Sequence, residues 1–209
     1  RGLEHEDEMV ALFQHCLHDL NSAAPSIDTP LHGLLPFTHI DHLHPDALIA
    51  IAASKDGPAI MKEIWGDSIA WIPWQRPGFD LGLQLENCVK ENPNIRGIIL
   101  GSHGLFTWGN TSFECYINSL EVIEMASNYL ENKVALNGNV FGGQKITALE
   151  SEIRINQATA MAPILRGLCS SSQGMIGHFS DAPRVLEFIN SHDLDRLAPL
   201  GTSCPDHFL

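Results

Sequence analysis

The sequence has few basic residues and no long apolar run. It contains 12 lysines and arginines against 25 aspartates and glutamates, which gives a formal net charge of −13 at pH 7. A nucleic-acid-binding protein needs clustered basic side chains to neutralise phosphates, so this composition argues against such a partner. No apolar run reaches the roughly eighteen residues that span a bilayer, and no signal peptide is visible. We expect neither nucleic acid nor a membrane as partner, whereas a small phosphorylated ligand remains compatible with the charge.

Paired cysteine motifs are absent as well. The five cysteines are scattered along the chain, and none is arranged as Cys-x-x-Cys. An odd number of scattered thiols is typical of a reducing compartment, so we expect a cytoplasmic protein. The chain begins at Arg1 rather than at methionine and ends at Leu209 without a polar tail. We therefore expect it to be part of a longer chain.

The length and composition suit an ordinary globular protein. With 209 residues, 44% of them hydrophobic, the chain can form one domain with a small appendage. Gly142 and Gly143 interrupt its second half. We predict a core at 1–140, followed by a C-terminal extension at 141–209.

The predicted helices and strands alternate, which favours an α/β fold. Their positions follow from hydrophobic periodicity and from proline and glycine breaks. Helices are predicted at 7–20, 29–35, 45–53, 58–64, 80–91, 111–134, 147–165 and after Pro183. Strands are predicted at 38–43, 68–72, 96–100, 105–108 and 174–179.

Histidines cluster in one predicted strand, where His39, His42 and His44 lie within six residues. If this segment is extended, the side chains of His42 and His44 point to the same face. His103 follows the apolar run 98–100, at the end of another predicted strand. Three neutral imidazoles from two strand ends are typical of an open divalent-metal site. The spacing therefore predicts that His42, His44 and His103 bind one metal ion.

Three residues near the candidate ligands are predicted to support the metal site without binding the ion. His39 and Asp41 lie on the opposite face of a regular strand from His42, so we place both around the ligands rather than among them. Asp41 either orients an imidazole as a hydrogen-bond acceptor or is a solvated carboxylate. Gly104 is predicted to adopt a positive φ that turns His103 inward.

Three motifs in order then resemble a known family: Pro25-Ser26-Ile27-Asp28 with His32, His42-Leu43-His44, and Leu100 to His103-Gly104 with Gly109. Over about residues 7 to 135 the chain is similar to the class II aldolase/adducin family. A closer resemblance extends over nearly the whole chain, to the aldolase half of bifunctional rhamnulose-phosphate aldolase/short-chain dehydrogenase proteins. The segments that carry it are 35–47, 76–79 and 200–209.

The resemblance implies a fold and a set of roles. It implies a three-layer αβα domain with a mostly antiparallel central sheet, and a homo-oligomer, a tetramer, with sites near subunit interfaces. By the family's pattern His42, His44 and His103 hold a divalent metal, usually zinc, and Asp28 is the acid/base. The chain departs from the family in carrying Asp28 where glutamate is general, and in lacking a match to the family's glycine-rich phosphate-binding segment.

The implied activity is aldol cleavage of a ketose 1-phosphate, with rhamnulose 1-phosphate giving dihydroxyacetone phosphate and lactaldehyde. Such a cleavage needs a carboxylate for the proton and a Lewis acid at the carbonyl. A sugar-phosphate 4-epimerase or a decarboxylase is the alternative within the family. A non-catalytic, adducin-like interaction module is the alternative outside enzymes.

The C-terminal segment is rich in small and polar residues and contains Cys204, Asp206 and His207. We expect it to pack toward the mouth of the metal site, with His207 contacting the substrate. A second metal site and a linker ordered by a dehydrogenase half are the alternatives.

Overall fold

The computed structural model describes residues 5–19, 23 and 25–202, with the backbone alone at 6 and 7. The chain divides into two compact units. The first comprises Arg1–Lys133 together with Thr202–Leu209, and the second is Val134–Gly201. Among the described residues no helix is long and apolar enough to cross a membrane.

The first unit alternates helices and strands, as predicted. Its helices are α1 (Glu6–Phe13), α2 (Thr29–Gly33), α3 (Asp46–Ala52), α4 (Gly57–Trp65), α5 (Phe79–Glu91) and most of α6 (Ser112–Asn137). Its strands are β1 (His39–Leu43), β2 (Ile69–Ile72), β3 (Gly97–Leu100) and β4 (Gly104–Gly109). A 3₁₀ turn at Gln14–Cys16 follows α1, so the first helix is shorter than the predicted 7–20.

The four strands form one sheet in the order β1-β4-β3-β2. β4 runs antiparallel to both of its neighbours, whereas β2 and β3 are parallel. The expectation of a mostly antiparallel sheet is therefore confirmed. The register pairs Leu43 with Leu105, Leu100 with Gly104, and Ile72 with Leu100. The carboxyl ends of β1, β2 and β3 and the start of β4 thus meet at the same edge of the sheet.

Successive side chains of a strand point to opposite faces of the sheet, and in the buried strands both sets are apolar. Helices therefore cover both faces of this sheet. Ile98 and Phe106 face α2 and α5, in a cluster with Leu85. Ile99 and Leu105 point the other way and pack with residues of α3, α4 and α6. The predicted three-layer αβα arrangement is confirmed.

The second unit is helical and lacks a buried apolar core. It contains a 3₁₀ turn at Val140–Gly142, α7 (Ser151–Cys169), α8 (Pro183–Ile189), α9 (Leu194–Leu197) and a 3₁₀ turn at Ala198–Leu200. Ser191 is its one buried residue. An ion pair between Arg154 and Asp181 (2.8 Å) ties α7 to the segment before α8.

The predicted strand at 174–179 is wrong, because this segment forms no strand in the structure. Its apolar residues have no neighbouring strand to complete a hydrogen-bond ladder. Instead the amide of Met175 donates to Ser170 Oγ (3.0 Å), and its carbonyl accepts from Arg166 Nε (2.9 Å). The segment is thereby fastened to the end of α7.

Candidate metal centre

Three histidines converge at the edge of the sheet where β1, β3 and β4 meet. His42 belongs to β1, His44 follows it, and His103 lies in the turn between β3 and β4. One ligand atom from each lies within 4.8 Å of the others, and the Nε2 atoms of His42 and His44 are 3.0 Å apart. The structure thus brings together the three side chains that the sequence singled out.

The turn that presents His103 is held by backbone hydrogen bonds to neighbouring elements. The amide of Gly101 donates to the Ile72 carbonyl (2.9 Å), and that of Ser102 donates to the Ala52 carbonyl at the end of α3 (3.0 Å). His103 is buried, with 3% of its surface exposed. Its imidazole is therefore positioned by a fixed turn rather than by a mobile loop.

Gly104 serves a different purpose from the one predicted. The left-handed residue of this turn is Ser102, with φ 52°, and Gly104 does not have a positive φ. A Cβ at Gly104 would overlap Cδ2 of His44 and lie 2.7 Å from the Leu43 carbonyl oxygen. Glycine is needed here because the His44 imidazole occupies the space of a side chain.

The environment of His42 keeps its imidazole neutral and oriented. Nδ1 lies 3.1 Å from the Leu105 carbonyl oxygen, and the ring stacks on Phe106 with centroids 4.1 Å apart. Burial, helped by the neighbouring His103 and His44, lowers the pKa of His42 to about 4, and the Leu105 carbonyl and Asp28 oppose this shift. A donor proton on Nδ1 leaves the Nε2 lone pair directed toward His44.

This donor set fits a divalent cation. Around a tetrahedral ion with bonds of about 2.0–2.1 Å, ligand nitrogens stand roughly 3.3 Å apart, and the His42–His44 separation of 3.0 Å is close to that value. Neutral imidazoles suit zinc, copper, iron and nickel. The three histidines could therefore bind a metal ion, and the geometry does not single out which metal.

Helix α2 brings Asp28 and His32 to the same side of the sheet as His42. Asp28 precedes the helix, and its Oδ2 accepts a hydrogen bond from Ser26 Oγ (3.2 Å). Its Oδ1 is buried and has no hydrogen-bond partner among the described residues. Asp28 is also close enough for its charge to act on the pKa of His42. A half-buried carboxylate with one buried, unsatisfied oxygen near the imidazoles is suited to proton transfer.

His32 is a neighbour of the site that the sequence reasoning left without a role. Its ring lies edge-on to His42, with centroids 6.4 Å apart, and to Phe106 at 5.5 Å. The sequence spacing could have indicated this position, because His32 follows Asp28 by four residues and residues four apart share one face of a helix.

Asp41 and His39 lie on the opposite face of β1 from His42, in agreement with strand alternation. Asp41 accepts a hydrogen bond from Ser119 of α6 (2.8 Å), whereas the partner of the His42 ring is the Leu105 carbonyl. The idea that Asp41 orients an imidazole directly is therefore corrected to a contact with α6. His207 lies outside the described residues, as do Cys204 and Asp206.

Two family models match the chain. The Class II Aldolase and Adducin N-terminal domain matches residues 4–130, and the Aldolase class II, second domain, matches residues 156–209. The first match contains Asp28 and all three clustered histidines.

The chain is also similar to known proteins and to a solved structure. The chain is 37% identical over 204 residues to the uncharacterized oxidoreductase YuxG of Bacillus subtilis, covering 98% of this chain and 30% of that protein. It is 30% identical over 78 residues to methylthioribulose-1-phosphate dehydratase of Persephonella marina, covering 36% of each. The N-terminal class II aldolase domain of a conserved protein from Thermoplasma acidophilum superposes with a TM-score of 0.55 at 30% identity, covering 60% of this chain and 57% of that one. The chain spans about a third of the length of the two curated relatives.

Proposed function

The chain belongs to the class II aldolase and adducin family, and from this premise we propose that it is a metal-dependent carbon–carbon lyase. Our candidate reaction is the cleavage of a ketose 1-phosphate, with rhamnulose 1-phosphate as the first substrate to test. The observation that carries the proposal is the convergence of His42, His44 and His103 within 4.8 Å. A non-catalytic interaction module has no need of such a cluster.

In this proposal the three imidazoles hold one divalent ion, with zinc as our candidate. When bound, such an ion supplies a Lewis acid that polarises a carbonyl oxygen. His42 contributes Nε2, because its Nδ1 faces the Leu105 carbonyl. The buried turn fixes His103, and the small residue Gly104 leaves room for His44.

Asp28 performs the proton transfer in this scheme. Its carboxylate takes the proton of the C4 hydroxyl, the C3–C4 bond breaks, and the bonding electrons move toward the C2 carbonyl. A proton returned to C3 then completes dihydroxyacetone phosphate, while the other fragment leaves as an aldehyde. The free Oδ1 atom supports this role, because a base needs an oxygen that no other donor occupies.

The relatives support the substrate class. One of them is named for methylthioribulose 1-phosphate, which is itself a ketose 1-phosphate. The other is named an oxidoreductase and is more than three times as long as the matching segment. That accords with an aldolase portion joined to a dehydrogenase portion in the same polypeptide.

The dehydratase relative also favours a second candidate reaction, the loss of water from a ketose 1-phosphate without cleavage of a carbon–carbon bond. A 4-epimerase and a decarboxylase stay as further alternatives from the sequence. These reactions are separated by their products. Cleavage gives two carbonyl fragments, dehydration gives one product lighter by water, and epimerisation leaves the mass unchanged.

The test is a product assay with the zinc-loaded 209-residue chain and, in parallel, the longest natural chain that contains it. Rhamnulose, fuculose, xylulose and ribulose 1-phosphates would be incubated and analysed by mass spectrometry, with dihydroxyacetone phosphate measured separately. We expect cleavage of at least one substrate and none in Asp28→Asn. Metal-loaded protein that produces only dehydrated or epimerised product would contradict the lyase proposal.

A further inference from the structure

A buried polar network joins β1 to β4 and α6 on the face of the sheet opposite His42. Thr107 lies directly across from Asp41 in the β1–β4 register. The hydroxyl oxygens of Thr107 and Ser119 are 2.6 Å apart, and Ser119 Oγ is 2.8 Å from Asp41 Oδ2. Thr107 and Ser119 are fully buried. Such a network within an otherwise apolar interface needs an explanation.

The direction of the hydrogen bonds follows from the chemistry of the groups. A carboxylate can only accept, and Ser119 Oγ lies 2.8 Å from Asp41 Oδ2 and 3.0 Å from the Cys115 carbonyl oxygen, so these two acceptors share the single hydroxyl hydrogen of Ser119. Thr107 must then donate to Ser119. The chain of donors therefore ends on a negative charge, which strengthens each bond in turn. Burial and the charge of Asp41 also raise the pKa of the neighbouring Cys115 thiol to about 11.

The network bears on the register of β1. Within the described residues β1 is an edge strand whose one strand partner is β4. A shift by one residue would carry Asp41 to the face of Phe106 and carry His42 beneath α6. The carboxylate would then lose its hydroxyl partners against apolar side chains. Asp41 and His42 therefore require opposite faces of the sheet, and a one-residue shift of β1 would misplace both.

We propose that Asp41 is a positioning residue that fixes β1 against β4 and α6 through Ser119 and Thr107, and so sets the separation of the His42 and His44 imidazoles from His103. The inference rests on the proposed metal site. It assigns Asp41 no contact with metal or substrate.

The test compares metal affinity with folding stability in Asp41→Ala, Asp41→Asn and Ser119→Ala. Ser68→Ala is the matched control, because it removes a hydroxyl bond to the Trp65 carbonyl (2.7 Å) at β2, far along the sheet order from β1. Zinc affinity is measured by chelator competition, the site geometry by the visible spectrum of the cobalt form, and the mobility of 38–45 by amide exchange in metal-free protein.

Asp41→Ala and Ser119→Ala should each weaken zinc binding by about tenfold or more, as loss of support around ligands does, and should speed exchange in β1. Asp41→Asn keeps an accepting oxygen and should stay within a few-fold of wild type. Ser68→Ala should lose stability but keep its zinc affinity.

Three results would overturn the inference. Wild-type affinity and cobalt spectrum in folded Asp41→Ala would reduce the network to ordinary stabilisation. An equal loss in Asp41→Asn would show that charge, rather than the hydrogen bond, is responsible. Absence of zinc binding in the wild type would refute the proposed function itself, and the inference with it. The wild-type measurement thus separates the two failures.

Discussion

The two units of the chain differ in how they bury apolar surface. Every buried apolar residue in the described part of the chain lies in the first unit, and all but Ile49 and Cys115 belong to the two clusters on the faces of the sheet. In the second unit large apolar side chains are exposed, with Leu168 at 79% and Ile176 at 94%. A helix such as α7 gains little stability without a covered face. The first unit therefore contains the buried apolar core of the described residues, whereas the large apolar side chains of the second unit stay exposed.

The units also differ in charge. Residues 1–133 contain seven basic and 18 acidic side chains, and residues 134–201 contain five basic and six acidic ones. With Asp206 of the 202–209 segment included, the first unit carries −12 and the second −1, so repulsion between copies is weakest at the second. We propose that the second unit contributes an association surface and that the protein is a homo-oligomer, with a tetramer as the expected state.

The largest effect is expected on turnover, from a substitution at Asp28 in the first unit. Asp28→Asn should lower turnover by about 10²- to 10⁴-fold, the usual contribution of an acid/base group, because an amide cannot take the hydroxyl proton. Bound zinc should be unchanged, as measured by elemental analysis. Asp28→Glu is the control that restores a carboxylate, and wild-type turnover in Asp28→Asn would refute the role.

The contrast in burial predicts that a substitution in the core of the first unit lowers the free energy of unfolding more than one in the second unit. Leu85→Ala, at a fully buried position of α5, should lower the free energy of unfolding by about 2–5 kcal/mol. Ser191→Ala removes the hydroxyl bond to the Phe188 carbonyl (2.7 Å) at the one buried residue of the second unit, at a cost of about 1 kcal/mol. Urea titration provides both values. A loss in Ser191→Ala as large as that in Leu85→Ala would contradict this contrast in burial.

Assembly should depend on the second unit. Leu168→Asp and Ile176→Asp place charges on its exposed apolar surface, so light scattering should show a smaller mass than for the wild type, with zinc content retained. Leu120→Asp, on an exposed position of α6 in the first unit, is the control. A monomeric wild type at micromolar concentration would contradict the association surface.

The smallest expected effect is the pH dependence of the metal-free chain. Unfolded His42 takes up a proton below about pH 6.5, whereas folded His42 stays neutral to about pH 4. The unfolded state thus binds more protons in this interval, so stability should fall as pH falls, by about 1–2 kcal/mol between pH 7 and 5. The drop should be smaller in His42→Gln and unchanged in His178→Gln, from the second unit. An equal drop in wild type and His42→Gln would exclude the explanation.

The sequence predicted the first unit well because its signals are local and consistent. Strand ends are marked by the apolar runs before His103 and by the alternation around His42, and the sheet brings these ends to one edge. The partner of Asp41 could not be predicted, because Ser119 is 78 residues away and only the packing of α6 on the sheet joins them. The steric requirement for glycine at position 104 could not be predicted either, since it arises from the position of the His44 ring.

The second unit was predicted less well, for the same physical reason that distinguishes it in the structure. Residues 174–179 form a short apolar segment that resembles a strand, but a strand needs a partner, and this segment instead bonds to Ser170 and Arg166 at the end of α7. Periodicity reports which side chains prefer to be buried. It does not say which surface buries them.

The central claim is that His42, His44 and His103 bind one divalent ion, and elemental analysis after zinc loading and dialysis tests it most directly. The wild type and His178→Ala should each retain about one zinc per chain, whereas His42→Ala and His103→Ala should lose it while staying folded by circular dichroism. Stoichiometric zinc in both His42→Ala and His103→Ala would contradict the account.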